Sequence, residues 1–321
     1  MPPHVRWSLI RRRQEWFRLA ESRGVSYTCR YYGLSRKTFY KWWSRYKASG
    51  FDPKALEDRS RKPRTHPKTS SPEVVKAVIR LRKKTDYGPR RLQYFLEHDE
   101  KIRISVCGIY KILNRAGLIK RYARKRKKYQ SYAAYIKYPG QKVQMDVKYV
   151  PRPIGQGRYR QLFQYQAKDL YTKLRFFRVY DELSAQNTAD FARRCLEFFP
   201  FPVRCIQTDH GIEFTYVFME SHREHPLDRF CRKRKIRHAL IPVATPRYNG
   251  QVERANRTDM EEFYRRAEWT RQPELSEKLR RYLGYQNEHR PHMGIEMMTP
   301  LEKLRTVRGY ETAKLNYECY L

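Results

Sequence analysis

Three carboxylates in matching local contexts are the residues of this chain best suited to chemistry. Asp146 lies within Gln141-Lys-Val-Gln-Met-Asp-Val-Lys-Tyr-Val150, Asp209 ends the run that starts at Val203, and Glu253 follows Thr245-Pro-Arg-Tyr-Asn-Gly-Gln-Val252. The aspartates are separated by 62 residues, and 43 more precede the glutamate. Hard oxygen ligands in that number suit Mg²⁺ or Mn²⁺, ions that keep several waters and are completed by substrate phosphates. A pair of such ions serves an in-line displacement at phosphorus, so the implied chemistry is phosphoryl transfer. Any one of the 33 acids taken alone is more simply a surface charge, and it is the shared context of these three that argues for a site. No covalent protein intermediate is required, so the 26 tyrosines need not supply a nucleophile.

The elements that must position them can be read from pattern. Residues 141–150 alternate with the two-residue period of a strand, which puts Asp146 on one face with Gln144 and Lys148. Asp209 precedes His210-Gly211 and sits at a strand tip. Glu253 falls in the opening turn or two of a helix whose apolar positions include Met260, Phe263 and Tyr264. The surrounding region reads as strands at 142–150, 158–168, 172–180 and 203–208, with helices at 184–199, 225–235, from 250, and at 272–288 before the Arg290-Pro291 break. Strands followed by alternating helices argue for an α/β core, a mixed sheet flanked by helices.

Charge points to the partner. The formal net charge of +37 would be costly in self-repulsion without a polyanion. Residues 1–140 hold 37 Lys and Arg against 10 Asp and Glu, whereas residues 141–321 hold 33 against 23, so DNA contact is expected to be heaviest in the first half. That half reads as two all-α helix-turn-helix units. In the first, residues 25–47, Gly33 makes the turn and Ser35 caps the second helix. Phe39, Trp42 and Tyr46 then recur on one side while Arg36, Lys37, Tyr40 and Lys41 remain for DNA; a plain helical hairpin is the simpler alternative. The second opens with Ser71-Pro72 and the apolar run from Val74 to Leu81. It continues through residues 87–96 and 104–118, and Gly117 ends its last helix. Breaker-rich residues 58–72 and the dense basic run from Lys120, with Arg124, Lys125, Arg126 and Lys127, read as linkers that follow phosphates.

Six scattered cysteines without a Cys-x-x-Cys pair are expected to be small buried hydrophobes. The N-terminus lacks the apolar core of a secretory signal and no stretch is long enough to span a membrane, so a cytoplasmic protein acting on the chromosome, with no membrane partner, is expected. His222, His225, Cys231 and His238 could offer four zinc ligands, but their spacing fits no common zinc pattern, and Arg232–Lys235 beside them is better read as a DNA-facing patch.

Met145-Asp146, Thr208-Asp-His-Gly-Ile-Glu-Phe214 and Pro246-Arg-Tyr-Asn-Gly-Gln-Val-Glu-Arg254 with Asn256 together resemble the integrase-core, or DDE, transposases of bacterial insertion sequences. Residues 285–292 and 299–302 resemble that family's usual ending, and the likeness covers roughly 139–305. Two departures stand out. His210 replaces the commoner Asn, and the longer spacing before Glu253 implies an inserted element around 216–237. The resemblance implies a ribonuclease-H-like α/β catalytic core preceded by helix-turn-helix domains. Its expected divisions are 1–57 and 71–119 for the two DNA-binding domains, 58–70 and 120–138 for basic linkers, 139–268 for the core and 269–321 for a C-terminal helical tail. It also implies that Asp146, Asp209 and Glu253 hold two Mg²⁺ or Mn²⁺ ions and catalyse cleavage at the ends of a mobile element, followed by strand transfer into target DNA. His210, Asn249, Gly250, Arg254 and Asn256 would orient DNA or the carboxylates, with Arg254 and Arg257 on the DNA. Pairing two double-stranded ends implies at least a homodimer. A non-catalytic regulator or architectural protein on the same fold is the alternative, and a nuclease that cuts without joining is a third reading.

Overall fold

Ser35 and Gly33 shape the N-terminal helices as their residue types allow. Helix α1 (Pro3–Arg23) leads into α2 (Val25–Tyr32), which stops at Gly33 with φ +64°, a conformation that costs glycine little. Ser35 Oγ then accepts from the Thr38 amide at 3.1 Å to start α3 (Arg36–Ala48). Phe39 and Trp42 face inward onto Ile10, Trp16, Phe17 and Leu56, and Tyr46 stacks on Phe17. The buried Arg13 lies 3.5 Å over the Trp42 ring and donates to Asp58 at 2.8 Å.

The computed structural model describes residues 3–59, 69–119, 136–152, 160–219, 223–243 and 245–320, in two compact units, Met1–Thr69 and Ser70–Leu321. Most of the first linker, the basic run with Arg124, Lys125, Arg126 and Lys127, and His222 lie outside the described residues.

In the second unit, α4 (Pro72–Thr85), α5 (Pro89–His98) and α6 (Val106–Arg115) enclose a core of Val78, Tyr87, Leu92, Leu96, Ile109 and Leu113. Ser71 and Ser105 cap two of these helices through their side chains, and Gly117, at φ +68°, lies just past the end of the third. This helical bundle groups with the sheet that follows. The sheet consists of β1 (Val143–Tyr149), β2 (Phe163–Asp169), β3 (Arg175–Tyr180), β4 (Cys205–Thr208) and β5 (Arg237–Leu240), in the order β3-β2-β1-β4-β5. The first three pair antiparallel, whereas β4 and β5 run parallel to β1. Helix α7 (Ala185–Phe198) covers one face, stacking Phe191 on Phe176. The opposite face receives α9 (Gly250–Asp259) and α10 (Gln272–Gly284), while α8 (Pro226–Lys233) packs on α7.

Two differences from the sequence reading have physical causes. Strand β5 went unforeseen because four residues between a helix and a loop carry too little alternation to be recognised. The region set apart at 269–321 shares its core with the sheet: Trp269, Leu279, Leu283, Leu304 and Tyr320 join Phe176 and Phe177 in one cluster, so packing is continuous across residue 268.

The helical bundle meets the sheet domain at a partly buried carboxylate. Glu262 lies in the π-helical turn Met260–Tyr264 that prolongs α9, and accepts from Arg290 at 2.6 and 2.7 Å, from Arg91 of α5 at 3.3 Å, and from Tyr87 at 3.3 Å. Glu262→Gln keeps the shape but leaves two guanidinium groups short of a counter-charge. The expected loss is about 2 kcal/mol in unfolding free energy, read by urea denaturation; no change would mean that these arginines find other partners.

Candidate active site

The strand face that carries Asp146 is polar and buried, and it exists to receive α9. Cross-strand pairing aligns Asp146 with Gln166, Gln144 with Lys168, and Lys148 with Gln164. Gln166 donates to the Val252 carbonyl at 3.0 Å and Lys168 to the Gln251 carbonyl at 3.3 Å, while Gln144 accepts from the Val252 amide at 3.3 Å. Gln144 and Gln207 both donate to the Tyr248 carbonyl, the second at 2.8 Å. Buried polar groups are tolerated because they bond one another or the helix backbone. They thereby set the height and rotation of α9 on the sheet.

Asn256 Nδ2 donates to Asp146 Oδ2 at 2.6 Å, tying the middle of α9 to the centre of β1. Glu253 lies three residues earlier, on the neighbouring position of the same helix face, exposed in the first turn. Asp209 follows the last residue of β4, the strand parallel to β1, and its Oδ1 accepts from the Gly211 amide at 3.1 Å. The three acids are electrostatic neighbours. Burial pushes the Asp146 carboxyl up to about 7, and the negative charges of Asp209 and Glu253 add to the rise. Burial and the charge of Asp209 raise Glu253, and they raise Glu213 as well. Lys148, beside Asp146 on the same face, is lowered to about 8, chiefly by burial.

Among the described residues no three His, Cys, Asp or Glu side chains are gathered closely enough to hold a metal ion as they stand. The donor chemistry of the trio still fits a hard divalent cation. Asp146 and Glu253, which neighbouring negative charge raises, would be relieved by a cation, and Asn256 Oδ1 is buried with no hydrogen-bond partner among the described residues. Of the four candidate zinc ligands His222 lies outside the described residues, and the other three do not form a group that could hold a metal ion. His225 Nδ1 accepts from the Leu227 amide, His238 is hydrogen-bonded through both ring nitrogens, and burial pushes the Cys231 thiol up to about 12.

The remaining sequence candidates divide. Asn249 is buried and donates to the Met145 carbonyl at 3.3 Å, and Gly250 begins α9. His210 packs its ring 5.2 Å from Phe218. Arg254 and Arg257 are exposed on α9, and Arg36, Lys37, Tyr40 and Lys41 are exposed on α3. Sequence reasoning did not single out Glu213, Gln164, Gln166 or Lys168. The pairing of a second strand with Asp146's strand was the signal that could have found the last three. Five of the six cysteines are buried, with Cys107 exposed. Among the described residues no helix is long and apolar enough to cross a membrane.

Comparison with known proteins bears on both halves. Residues 38–113 match a homeodomain-like domain, and residues 234–300 match an integrase core domain. The ORF3 product of Spiroplasma virus SpV1-C74, described provisionally as an integrase, is 26% identical over 174 residues, covering 51% of this chain and 48% of the relative. The chain thus spans about half the length of that curated relative. Similar solved structures include the HTLV-2 integrase catalytic core domain in complex with magnesium, at 16% identity over 51% of this chain and 95% of that one, with a TM-score of 0.38. The catalytic core domain of BIV integrase is 22% identical over 51% and 92%, with a TM-score of 0.36. The simian T-cell lymphotropic virus intasome in complex with PP2A regulatory subunit B56 gamma is 14% identical over 74% and 77%, with a TM-score of 0.43. What the chain shares with known proteins is therefore a homeodomain-like domain in its first half and an integrase core domain in its second, the latter on this mixed sheet with its flanking helices.

Proposed function

We propose that the protein is a transposase that binds the ends of a mobile DNA element, cleaves there, and joins the freed 3′ ends to target DNA. The observation that carries this reading is the placement of Asp146 on β1, Asp209 at the end of the parallel neighbour β4 and Glu253 in the first turn of α9, the helix that Asn256 ties to Asp146. Asp146, Asp209 and Glu253 would hold Mg²⁺ or Mn²⁺, as the two ions of an in-line displacement. When bound, such ions supply Lewis acidity to the attacking and leaving oxygens at phosphorus. The chain's own part is to fix the carboxylates: Asn256 orients Asp146, the Gly211 amide orients Asp209, and the glutamines beneath α9 hold Glu253 in place. The exposed side chains of Arg254 and Arg257 are suited to DNA phosphates beside the site, and Arg36, Lys37, Tyr40 and Lys41 to the recognition of an end. Joining two ends calls for at least two copies of the chain.

The test is a strand-transfer assay on the purified protein, using labelled DNA from the flanks of its own gene and a supercoiled target. Joined products are expected with Mg²⁺ or Mn²⁺ and none with a chelator, while end binding persists in both. Cleavage without joining would leave a nuclease. Binding alone in the presence of metal would leave a regulator.

A further inference from the structure

Histidine 238, set aside above as a zinc ligand, stands instead in a hydrogen-bond chain that ends on the peptide of Asp209. Its Nδ1 lies 2.5 Å from Asp228 Oδ1 and its Nε2 lies 2.9 Å from Thr208 Oγ1; the Thr208 hydroxyl in turn donates to the Asp209 carbonyl at 3.0 Å. Thr208 is fully buried and the His238 side chain is 7% exposed, so water does not compete freely for these bonds. The chain crosses three elements. Asp228 is in the first turn of α8, within the inserted segment, His238 is on the edge strand β5, and Thr208 is the last residue of β4.

Counting protons orders the chain. Thr208 has one hydroxyl proton, and a carbonyl can only accept, so that proton belongs to the Asp209 peptide. His238 Nε2 must then donate to Thr208 Oγ1. A carboxylate likewise only accepts, so Nδ1 donates to Asp228. Both ring nitrogens are thus engaged, one by Asp228 and one by Thr208.

We infer that His238, with Asp228 behind it, is a positioning residue that holds Asp209 through the Thr208 hydroxyl. The inserted segment thereby gains a task, since its first helical turn supplies the carboxylate at the far end of the chain. Asp209 is fixed at two points: its carbonyl by Thr208 and its carboxylate by the Gly211 amide. The inference rests on the carboxylate site proposed above, and partners of this kind, one bond removed from a ligand, typically change metal affinity or activity about 10- to 100-fold.

The test uses the full chain and reads Mn²⁺ binding by calorimetry beside strand transfer. Asp209→Asn, which should abolish Mn²⁺ binding, confirms that the measurement reports on this site. Thr208→Val keeps the shape and loses the hydroxyl; it is expected to weaken Mn²⁺ binding and slow joining by about 10-fold or more with the KM for DNA unchanged, and Thr208→Ser is expected to restore both. Asp228→Asn, at a half-exposed position that folding tolerates, is expected to show a smaller loss of the same kind and decides the matter if the valine variant does not fold. Wild-type Mn²⁺ affinity in Thr208→Val, or in Asp228→Asn where that variant decides, overturns the inference. If Mn²⁺ binding follows the expected pattern but the wild type joins no DNA, the positioning role stands and the strand-transfer reading fails. If Asp209→Asn still binds Mn²⁺ as the wild type does, the carboxylate site is wrong and this inference falls with it.

Discussion

Replacing Glu253 by Gln is expected to lower DNA joining by at least about a thousand-fold while leaving folding and end binding intact. Charge stabilisation by a bound divalent ion is worth several kcal/mol in the transition state, and each tenfold in rate corresponds to about 1.4 kcal/mol, so losing one of the three proposed anionic ligands is expected to forfeit about three decades. The fold has little at stake. Glu253 is exposed in the first turn of α9, and the helix is held by Val252, Ala255 and Asp259, which are buried. Glutamine keeps the size and one oxygen but not the charge, so an effect on joining alone separates ligand chemistry from packing. Joining within tenfold of the wild type would remove Glu253 from the site. Asp146→Asn provides the internal contrast: it deletes the carboxyl that burial and its two neighbours push up, so it should lose activity without losing stability.

The second large effect concerns stability. Arg175→Met is expected to cost about 3–5 kcal/mol, because it strands a buried carboxylate. Asp259 is fully buried at the end of α9, and Arg175, itself 4% exposed, reaches it from β3 at 2.6 Å and also donates to Gln166 at 2.8 Å. Once the guanidinium is gone, Asp259 keeps only the Gln164 amide at 2.9 Å and the more distant charge of Lys148, so the loss should fall toward the lower end of that range. The paired variant Arg175→Met with Asp259→Leu removes both charges and is expected to recover most of the loss, since a buried ion pair is commonly near neutral against an apolar pair. Urea denaturation monitored within the sheet domain reads both. If the double variant proves no more stable than the single, the charge is not what the pair contributes. The consequence reaches the site, because Asp259 and Glu253 share one helix: a helix end released from β3 is free to change the angle at which Glu253 meets Asp146.

Local signals were enough for much of this. Alternation around Asp146, the cap at Ser35, the Ser71-Pro72 start and the Asp209-His-Gly turn are decided by residues within a few positions of one another, and the structure has a strand, two helix starts and a strand end there. The same locality explains what was missed. Lys168 and Gln166 are polar side chains on a strand, and are buried because α9, some 80 residues later, settles on them. Strand β5 owes its existence to β4 and not to its own four residues. His238 looked like a stray metal ligand until β5 set it between Thr208 and Asp228.

What the sequence made legible by itself, then, is the likeness to integrase cores and the three carboxylates on which the proposed chemistry rests, because carboxylates, turn residues and their flanking motifs are read one segment at a time. Only the tertiary structure decided which polar face is covered, that the last fifty residues complete the sheet's core, and what holds each carboxylate still. Those depend on pairings between distant segments, where burial turns an ordinary glutamine, lysine or histidine into a necessary hydrogen-bond partner, and no local pattern records which segment will arrive to do the burying.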